Sequence, residues 1–279
     1  MFRQIIVNFG VRIVAAVLSF LIIVLLSQAL GAEGKGICTR YVVVISNALI
    51  FCDLLGGPPL VYLSSRYKIT NMLFPSYLWS AATSCIVICV FIALKQIDQK
   101  EFVQLAGLSF LNSCIAINQN ILSGRQHFGK LNVIIFFQSV LAFAGLKVLF
   151  VLSAATTENY LYSLYIAWAF SASLGLFFIF SIRDTAPKIS FPEFFTQAIK
   201  YGFINAAGHI IQFFNQRLSY FFLNEKSLGI FSNAVSLGES VWMVSNSIAT
   251  VQYGKVSNTT DKSKAEKISF VLLKINLLL

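Results

Sequence analysis

The sequence has few charged residues. Asp, Glu, Lys and Arg make up 11% of its 279 residues, whereas soluble domains carry about 25%. It also has only two His and five Cys, and no two Cys form a CxxC pair. These shortages exclude an ordinary soluble domain, a disulfide framework and a metal-ligand cluster of His and Cys. We therefore expect no cofactor.

Motifs of enzyme active sites are missing as well. No Ser-His-Asp, Cys-His or paired-carboxylate pattern stands out. The stretch GRQHFGKL, residues 124–131, fits the GxxxxGK opening of a phosphate-binding loop, but Leu131 stands where that loop needs Ser or Thr. Because apolar runs flank it on both sides, we interpret it as a basic turn between two spans, and we expect no enzyme activity.

Long apolar runs dominate the sequence. Hydrophobic residues make up 57% of it, and the mean hydropathy is +0.76. Eight runs have about the 20 residues that a membrane-spanning helix needs, and a ninth run begins at Ile268. The eight predicted spans are 10–30, 41–63, 73–94, 102–123, 130–153, 159–182, 198–223 and 228–252. This pattern predicts an all-α integral membrane protein, a polytopic helical bundle.

Two glycine-containing segments interrupt the apolar pattern. The run Gly56-Gly57-Pro58-Pro59 falls inside the second predicted span. Because Pro lacks a backbone donor and clashes with the preceding turn, we expect a broken helix there. Between the first two spans, GAEGKG (31–36) predicts a helix C-cap followed by a turn.

Positive charge is unevenly distributed between the loops. The Lys and Arg residues behind the formal charge of +10 lie in short breaks between apolar runs, which favours a membrane protein over a nucleic-acid-binding one. Most of these Lys and Arg residues lie in the loops on the same side of the membrane as the N-terminus, so we place the N-terminus in the cytoplasm. Segment 183–197 is then a cytoplasmic linker. It would join a six-helix lobe, 1–182, to an incomplete second lobe, 198–279.

Polar residues follow one face of two spans. In the first span Asn8, Arg12 and Ser19 share a face. The corresponding face of the seventh span holds Asn205, His209, Gln212 and Gln216. Arg217 lies off that face, near the end of the span. Small and amide groups either line a wet cavity or join packed helices, and both interpretations stay open for Ser19 and Asn205. Ionisable Arg12 and His209 favour a functional role.

The same two spans share local sequence. NFGVR (8–12) and NAAGH (205–209) both place Asn four residues before a basic residue. GKGICT (34–39) and SLGIFS (227–232) both place Gly-Ile just past the end of a span. Because the second copy comes six spans after the first, both copies would cross in the same direction. That is the pattern of parallel repeats with a site between them.

Three more charged residues lie inside predicted spans: Asp53, Lys147 and Glu239. A charge in mid-membrane costs roughly 2.5–3.5 kcal/mol on insertion scales, so we expect each to meet a partner or water. Arg12 and Lys147 are the expected partners of Asp53 and Glu239. Such a pair would be either a structural salt bridge or a site for a coupling ion.

Four segments resemble polysaccharide or O-antigen flippases of the Wzx type, in the multidrug/oligosaccharidyl-lipid/polysaccharide exporter superfamily. They are NFGVRIVAAVLSFLIIVLLSQALGAEGKGIC (8–38), FCDLLGGPPLVYLSSRYK (51–68), ILSGRQHFGKLNV (121–133) and NQRLSYFFLNEKSLGIFSNAVSLGESVWMVSNSIATVQYGKVSN (215–258). The last is the most specific, with an Arg, a Gly-Ile turn, Glu-x-x-Trp and Ser-Ile-Ala. The resemblance covers essentially the whole chain.

This resemblance implies a function. It implies two six-helix lobes around a cationic cavity, and alternating access for an undecaprenyl-pyrophosphate-linked oligosaccharide of O-antigen, capsule or exopolysaccharide. The first and seventh spans would line that cavity. Its substrate-cavity residues would be Asn8, Arg12, Ser19, Asn205, His209, Gln212, Gln216 and Arg217. The protein would be a monomeric transporter of the cytoplasmic (inner) membrane, in contact with membrane lipid and beside glycan polymerase and chain-length machinery.

Two departures from the family pattern matter. Ser219 stands where such proteins often carry an acidic residue, which weakens the case for ion coupling there. The family has twelve spans or more, so we expect residues 1–279 to be a fragment or the product of a truncated gene, without transport activity alone. The alternatives are a drug/cation antiporter of the same superfamily and a membrane-embedded glycan polymerase or acyltransferase. The predicted outer loops are too short for the catalytic loop of such an enzyme.

Overall fold

The computed structural model describes the backbone of residues 2–240, 243–259 and 261–278. Within these ranges it describes all side chains except those of positions 2–5, 212, 215, 216, 237, 239, 240, 243–247, 262, 272 and 275–278.

The described chain is built of α-helices, which confirms the predicted all-α polytopic bundle. The helices are α1 (Phe2–Gly56), α2 (Pro58–Ser64), α3 (Thr70–Ala93), α4 (Phe102–Gly124), α5 (Phe128–Leu152), α6 (Thr157–Phe180), α7 (Phe191–Arg217), α8 (Glu225–Ser240), α9 (Met243–Ser257) and α10 (Lys262–Leu278). Two short 3₁₀ segments add Gln99–Glu101 and Leu218–Phe221. Five stretches among the described residues are long and apolar enough to cross a membrane: Ile6–Ser64, Thr70–Ala93, Gln99–Gly124, Phe128–Leu152 and Thr157–Phe180.

Helix α1 is two helices that meet at Gly31. Gly31 has φ 68° and ψ −173°, a backbone conformation that favours glycine. Ser19 and Val43 line one cavity of about 390 Å³, although a straight helix would place them about 36 Å apart. The chain therefore folds back at Gly31, and α1 supplies two of the six spans predicted for residues 1–182. The predicted C-cap at Gly31 is confirmed, whereas residues 32–36, predicted as a turn, are helical.

The predicted break in the second span is confirmed. Helix α1 ends at Gly56, and α2 begins at Pro58 after the non-helical residue Gly57. Asn120 Nδ2 of α4 donates a hydrogen bond of 3.2 Å to the carbonyl oxygen of Gly56. A carbonyl released by the break is thereby satisfied from a neighbouring helix, as a break within a membrane requires.

The core lies between α1 and helices α3 to α6. Val44, Leu105 and Leu146 are among its buried apolar side chains. Outward-facing apolar side chains such as Phe74 and Val103 are exposed. With no water in hydrocarbon, an apolar outer surface is what a multi-pass membrane protein needs.

The predicted linker 183–197 is too long, because α7 begins at Phe191. Ser190 has an extended backbone at the N-cap, Pro192 lies in the first turn, and Glu193 adds a negative charge there. Each of these features favours a helix start. The division into two lobes stays a prediction.

The rest of the linker is held against the bundle. Asp184 Oδ1 forms an ion pair of 2.6 Å with Arg125 Nη2, and Asp184 Oδ2 accepts a 2.6 Å hydrogen bond from the Ile69 amide. The Lys68 amide donates to the carbonyl oxygen of Pro187 at 2.8 Å. One carboxylate therefore ties the linker to the loops before α3 and α5.

The GRQHFGKL segment is a turn between two helices, as predicted. Helix α4 ends at Gly124 and α5 begins at Phe128. Burial, followed by the charges of Lys130 and Arg125, lowers the pKa of His127 below its ordinary value. The positive charge of this turn at pH 7 comes mainly from Arg125 and Lys130.

The crossing of α7 to α10 stays a prediction. None of these helices is among the stretches that qualify as spans within the described residues. Helices α8 and α9 have 16 and 15 residues, and residues 241–242 between them lie outside the described part. Helix α10 begins at Lys262 and includes Ile268, where the predicted ninth span starts.

Helices α1 and α8 approach closely at the two Gly-Ile segments. A Cβ atom on Gly36 would lie 1.8 Å from the carbonyl oxygen of Glu225. A Cβ atom on Gly229 would lie 1.9 Å from the carbonyl oxygen of Ala32. Only glycine at both positions permits this backbone separation.

This contact is reciprocal. Thr39 donates a hydrogen bond of 3.1 Å to Ser232, which occupies the equivalent place 193 positions later in SLGIFS. With the same offset, Gly36 corresponds to Gly229 and Ala32 corresponds to Glu225. The contact of Gly36 with Glu225 and that of Gly229 with Ala32 are therefore equivalent. A two-fold relation between repeated segments produces such reciprocity, which supports the predicted repeat.

Candidate functional site

A cavity of about 390 Å³ lies among α1, α5, α6 and α8, beside the end of α7. Both halves of α1 line it, because the reversal at Gly31 brings Ser19 and Val43 to the same place. Its volume is within the range of about 300–1,000 Å³ typical of ligand pockets. The cavity is therefore the candidate functional site.

Two cationic side chains line this cavity, Lys35 from the second half of α1 and Arg217 from the end of α7. Lys35 is only 7% exposed, and its Nζ donates to Thr39 Oγ1 at 3.1 Å. Arg217 Nη1 donates to the Tyr220 hydroxyl at 2.8 Å, and its guanidinium lies 5.1 Å from the centre of the Tyr220 ring.

Lys35 is a buried cation without a carboxylate partner in the described part of the chain. The ion pairs found there are Arg40–Glu225 and Arg125–Asp184, and Asp53 lies beside His209 instead. Lys35 also follows Gly31 closely, at the start of a helix, where the macrodipole already favours negative charge. Burying a charge costs free energy unless an opposite charge or good hydrogen bonds compensate. An anionic ligand in the cavity would supply that compensation.

The rest of the lining combines polar groups with aromatic rings. Ser19, Ser139 and Gln138 contribute hydroxyl and amide groups, and Tyr160 and Trp168 contribute rings. Hydroxyl and amide groups can exchange hydrogen bonds with sugar hydroxyls. Aromatic rings offer apolar faces for the C–H faces of sugars. No Asp or Glu is found among the described lining residues.

The predicted polar face of the first span is divided between two places. Ser19 lines the cavity, together with the predicted Arg217. Arg12 lies at the contact with α9, where its Nη2 donates to Thr250 Oγ1 at 3.0 Å. Asn8 is fully buried one turn earlier. The structure therefore places Arg12 and Asn8 in helix packing rather than in this cavity.

The described side chains of the predicted polar face of the seventh span, Asn205 and His209, do not line the cavity either. Asn205 Nδ2 donates to the carbonyl oxygen of Tyr201 in its own helix at 3.0 Å. His209 Nε2 lies 3.9 Å from Asp53 Oδ2 in the second half of α1. The side chains of Gln212 and Gln216, also predicted for the cavity, lie outside the described residues.

The predicted ion pairs come out differently. Asp53 Oδ2 lies 3.9 Å from His209 Nε2, and Arg12 donates to Thr250. The reason is that α7 packs closely on the end of α1, where a Cβ on Gly202 would lie 2.1 Å from the Leu54 carbonyl oxygen. Lys147 is exposed on α5 and joins none of the ion pairs among the described residues. The side chain of Glu239 lies outside the described part.

Lys35 is the residue that sequence reasoning missed. Lys35 was predicted to be a loop residue, because it is charged and follows the first apolar run by only a few positions. The repeated Gly-Ile segment was the available signal, since GKGICT contains Lys35, Gly36 and Thr39 together. A glycine that is repeated in both segments, as Gly36 and Gly229 are, indicates a close contact between helices. Lys35 is adjacent to Gly36 and is therefore buried at that contact.

In the part of the chain that the structure describes, no metal-ligand cluster lies beside the cavity. Within the described residues, no group of three or more His, Cys, Asp or Glu side chains is placed to hold a metal ion. The cavity offers a ligand two basic side chains, several hydrogen-bonding groups and two aromatic rings.

Comparison with known proteins identifies no relative of this chain. No protein-family model, no curated protein and no solved structure matches this chain. What the protein does must therefore be inferred from its own residues and from the geometry of its cavity.

Proposed function

We propose that this protein is a flippase that moves a polyprenyl-diphosphate-linked oligosaccharide across the cytoplasmic membrane by alternating access. The observation that supports this most is Lys35, a cation buried on a cavity between membrane helices without a carboxylate partner among the described residues. Because a diphosphate is a compact anion, it is the kind of group that two cations in a low-dielectric site would bind.

The cavity suits the rest of that substrate as well. Sugar hydroxyls would meet Ser19, Gln138 and Ser139, and sugar rings would pack on Tyr160 and Trp168. A cavity of about 390 Å³ holds the diphosphate and the first sugars. Passage of a longer glycan requires the contacts at one end of the bundle to separate, which is what alternating access supplies.

An anionic substrate is favoured over a drug cation. A cation carrier needs negative groups in its pathway, whereas the described lining residues of this cavity are basic, polar or apolar. Lys35 and Arg217 would repel an organic cation at short range, and that repulsion is strong where water is scarce.

Transport itself is tested in the cell that encodes the protein. We expect deletion of the gene to trap the lipid-linked oligosaccharide in the cytoplasmic leaflet, because no pathway carries its polar head across. A membrane-impermeant sugar label applied to spheroplasts should then give little labelled lipid, although total lipid-linked oligosaccharide is normal or raised. Restoring the gene provides the control. Normal surface labelling in the deletion strain would contradict the proposal.

The proposed orientation has the N-terminus in the cytoplasm, since basic residues concentrate at the end of the bundle that holds the linker. Gln126 and Asn224 are both exposed and lie in turns at opposite ends of this arrangement. In a background with Cys85 and Cys89 replaced by Ser, Asn224→Cys should react with an impermeant maleimide in intact cells. Gln126→Cys should react only after permeabilisation. The reverse pattern would overturn the orientation.

A further inference from the structure

A chain of hydrogen bonds connects the cavity to the contact between α1 and α8. Lys35 Nζ donates to Thr39 Oγ1 at 3.1 Å. Thr39 Oγ1 donates to Ser232 Oγ at 3.1 Å, and Ser232 Oγ donates to the carbonyl oxygen of Gly229 at 3.1 Å. All three side chains are buried. The cation on the cavity is therefore linked through two hydroxyls to the backbone of α8.

Thr39 has two possible acceptors for one proton. Its Oγ1 lies 3.0 Å from the carbonyl oxygen of Lys35 in its own helix and 3.1 Å from Ser232 Oγ in α8. A hydroxyl donates one hydrogen bond at a time. The Thr39 proton therefore either joins α1 to α8 or returns to α1.

Lys35 influences that choice. A charged donor at Thr39 Oγ1 polarises the hydroxyl and strengthens the hydrogen bond that the hydroxyl donates onward. When the ammonium group leaves Thr39, the bond to Ser232 weakens relative to the one within α1. An anion in the cavity would draw the ammonium group away, because a phosphate oxygen is a stronger acceptor than a neutral hydroxyl.

The bond to Ser232 lies in a contact that must open if the two halves separate. Gly36 and Gly229 lie one turn before Thr39 and Ser232, and both glycines touch backbone of the opposite helix. Arg40, next to Thr39, forms a 2.9 Å ion pair with Glu225 of α8. These groups hold α1 against α8 beside the cavity.

We propose that a diphosphate bound in the cavity loosens the contact between α1 and α8 by taking Lys35 Nζ from Thr39. This inference rests on the proposed function and adds a mechanism by which an occupied cavity opens. Thr39 and Ser232 act as positioning residues, because they transmit the state of Lys35 to α8. We expect a bound diphosphate to shift the population toward a form in which α1 and α8 are separated at this contact.

Spin labels at Glu33→Cys and Lys226→Cys measure the contact directly. Both native residues are exposed, and they are equivalent positions of the two segments, 193 apart like Thr39 and Ser232. Cys38, Cys52 and Cys114 are buried and stay, whereas the exposed Cys85 and Cys89 are replaced by Ser. Double electron–electron resonance on protein in nanodiscs gives the distance, and calorimetry gives the affinity for each ligand.

Three ligands separate the sources of the effect: farnesyl diphosphate, inorganic pyrophosphate and farnesol. We expect both diphosphates to shift the label distance toward longer values and farnesol to leave it unchanged. Ser232→Ala should show the longer distance without ligand and little further change at saturation. Ser46→Ala removes a hydroxyl that donates to the Val42 carbonyl oxygen of its own helix, and this variant should respond like the unsubstituted protein. Thr39→Val removes the same hydrogen bond from the α1 side and should behave like Ser232→Ala.

The outcomes are distinguishable. Failure of farnesyl diphosphate to bind would contradict the proposed function itself. Binding without any change in distance would overturn the coupling and leave the proposed function standing. The coupling would also be overturned if Ser232→Ala and Thr39→Val showed the same ligand-induced distance change as the unsubstituted protein. A response to farnesol, or to farnesyl diphosphate but not to pyrophosphate, would place the trigger in the lipid chain and refute the role of Lys35.

Discussion

Replacing Lys35 with Gln is expected to stabilise the protein and to weaken its binding of farnesyl diphosphate. Gln can still donate a hydrogen bond to Thr39, but it removes a buried charge that has no carboxylate partner among the described residues. A buried charge without an opposite charge costs several kcal/mol even when it donates a hydrogen bond, so the melting temperature should rise. A hydrogen bond to a charged group contributes about 1.5–3 kcal/mol, so the dissociation constant should increase by about 10- to 100-fold.

The opposite signs of these two effects make the prediction specific. A Lys with a purely structural role would lower stability when replaced and leave affinity unchanged. Lys226→Gln removes an exposed cation near the same end of the bundle and should change neither quantity. Calorimetry with farnesyl diphosphate and thermal melts of each variant in nanodiscs supply the measurements. Tight binding of tetraphenylphosphonium by the unsubstituted protein would favour a cation carrier instead.

Gly36→Ala and Gly229→Ala are each expected to destabilise the protein strongly. The added Cβ would lie 1.8 Å from a carbonyl oxygen in the first case and 1.9 Å in the second, so the helices must move apart. Forcing extra atoms into a packed contact costs about 1–3 kcal/mol and sometimes more. Because the two contacts are related by the same offset of 193 positions, the two variants should lose similar amounts of stability.

A double variant tests whether the two glycines belong to one contact. Once either substitution has separated α1 from α8, the other should cost less, so the double loss should be smaller than the sum of the single losses. Gly10→Ala is the matched control in α1, since its Cβ would have no neighbour within 4 Å, and it should be neutral or slightly stabilising. Additive losses in thermal melts would refute the shared contact.

Helix positions were predictable because membrane thickness and local residue chemistry set them. Helices α5 and α6 begin and end within a few residues of the predicted spans, since an apolar run of this length has one way to cross a bilayer. The break at Gly57 and the reversal at Gly31 were predictable for the same reason, because the backbone preferences of Gly and Pro act locally. The start of α7 at Phe191 was missed although Ser190, Pro192 and Glu193 signal it. The charge of the segment suggested a loop.

The partners of the polar residues were not predictable from the chain. Helical periodicity placed Asn8, Arg12 and Ser19 on one face, but the structure assigns Arg12 to α9 and Ser19 to the cavity. Asp53 and His209 meet because α7 packs on the end of α1. Periodicity shows which residues of one helix share a face, and it carries no information on which helix comes to lie against each part of that face.

The sequence by itself determined that this is a helical, multi-pass membrane protein, where its helices break, and that Gly36 and Gly229 belong to a repeated segment. The membrane class and the helix breaks follow from interactions within a few turns of one helix or between a helix and its solvent. The repeat follows from comparing two segments of the sequence. Only the tertiary structure decided that Lys35 is a cavity residue. Its burial requires the reversal at Gly31 and the approach of α8, contributed by residues almost 200 positions away. A side chain that looks like a solvated loop charge is thereby enclosed between helices, where its charge can act on a ligand.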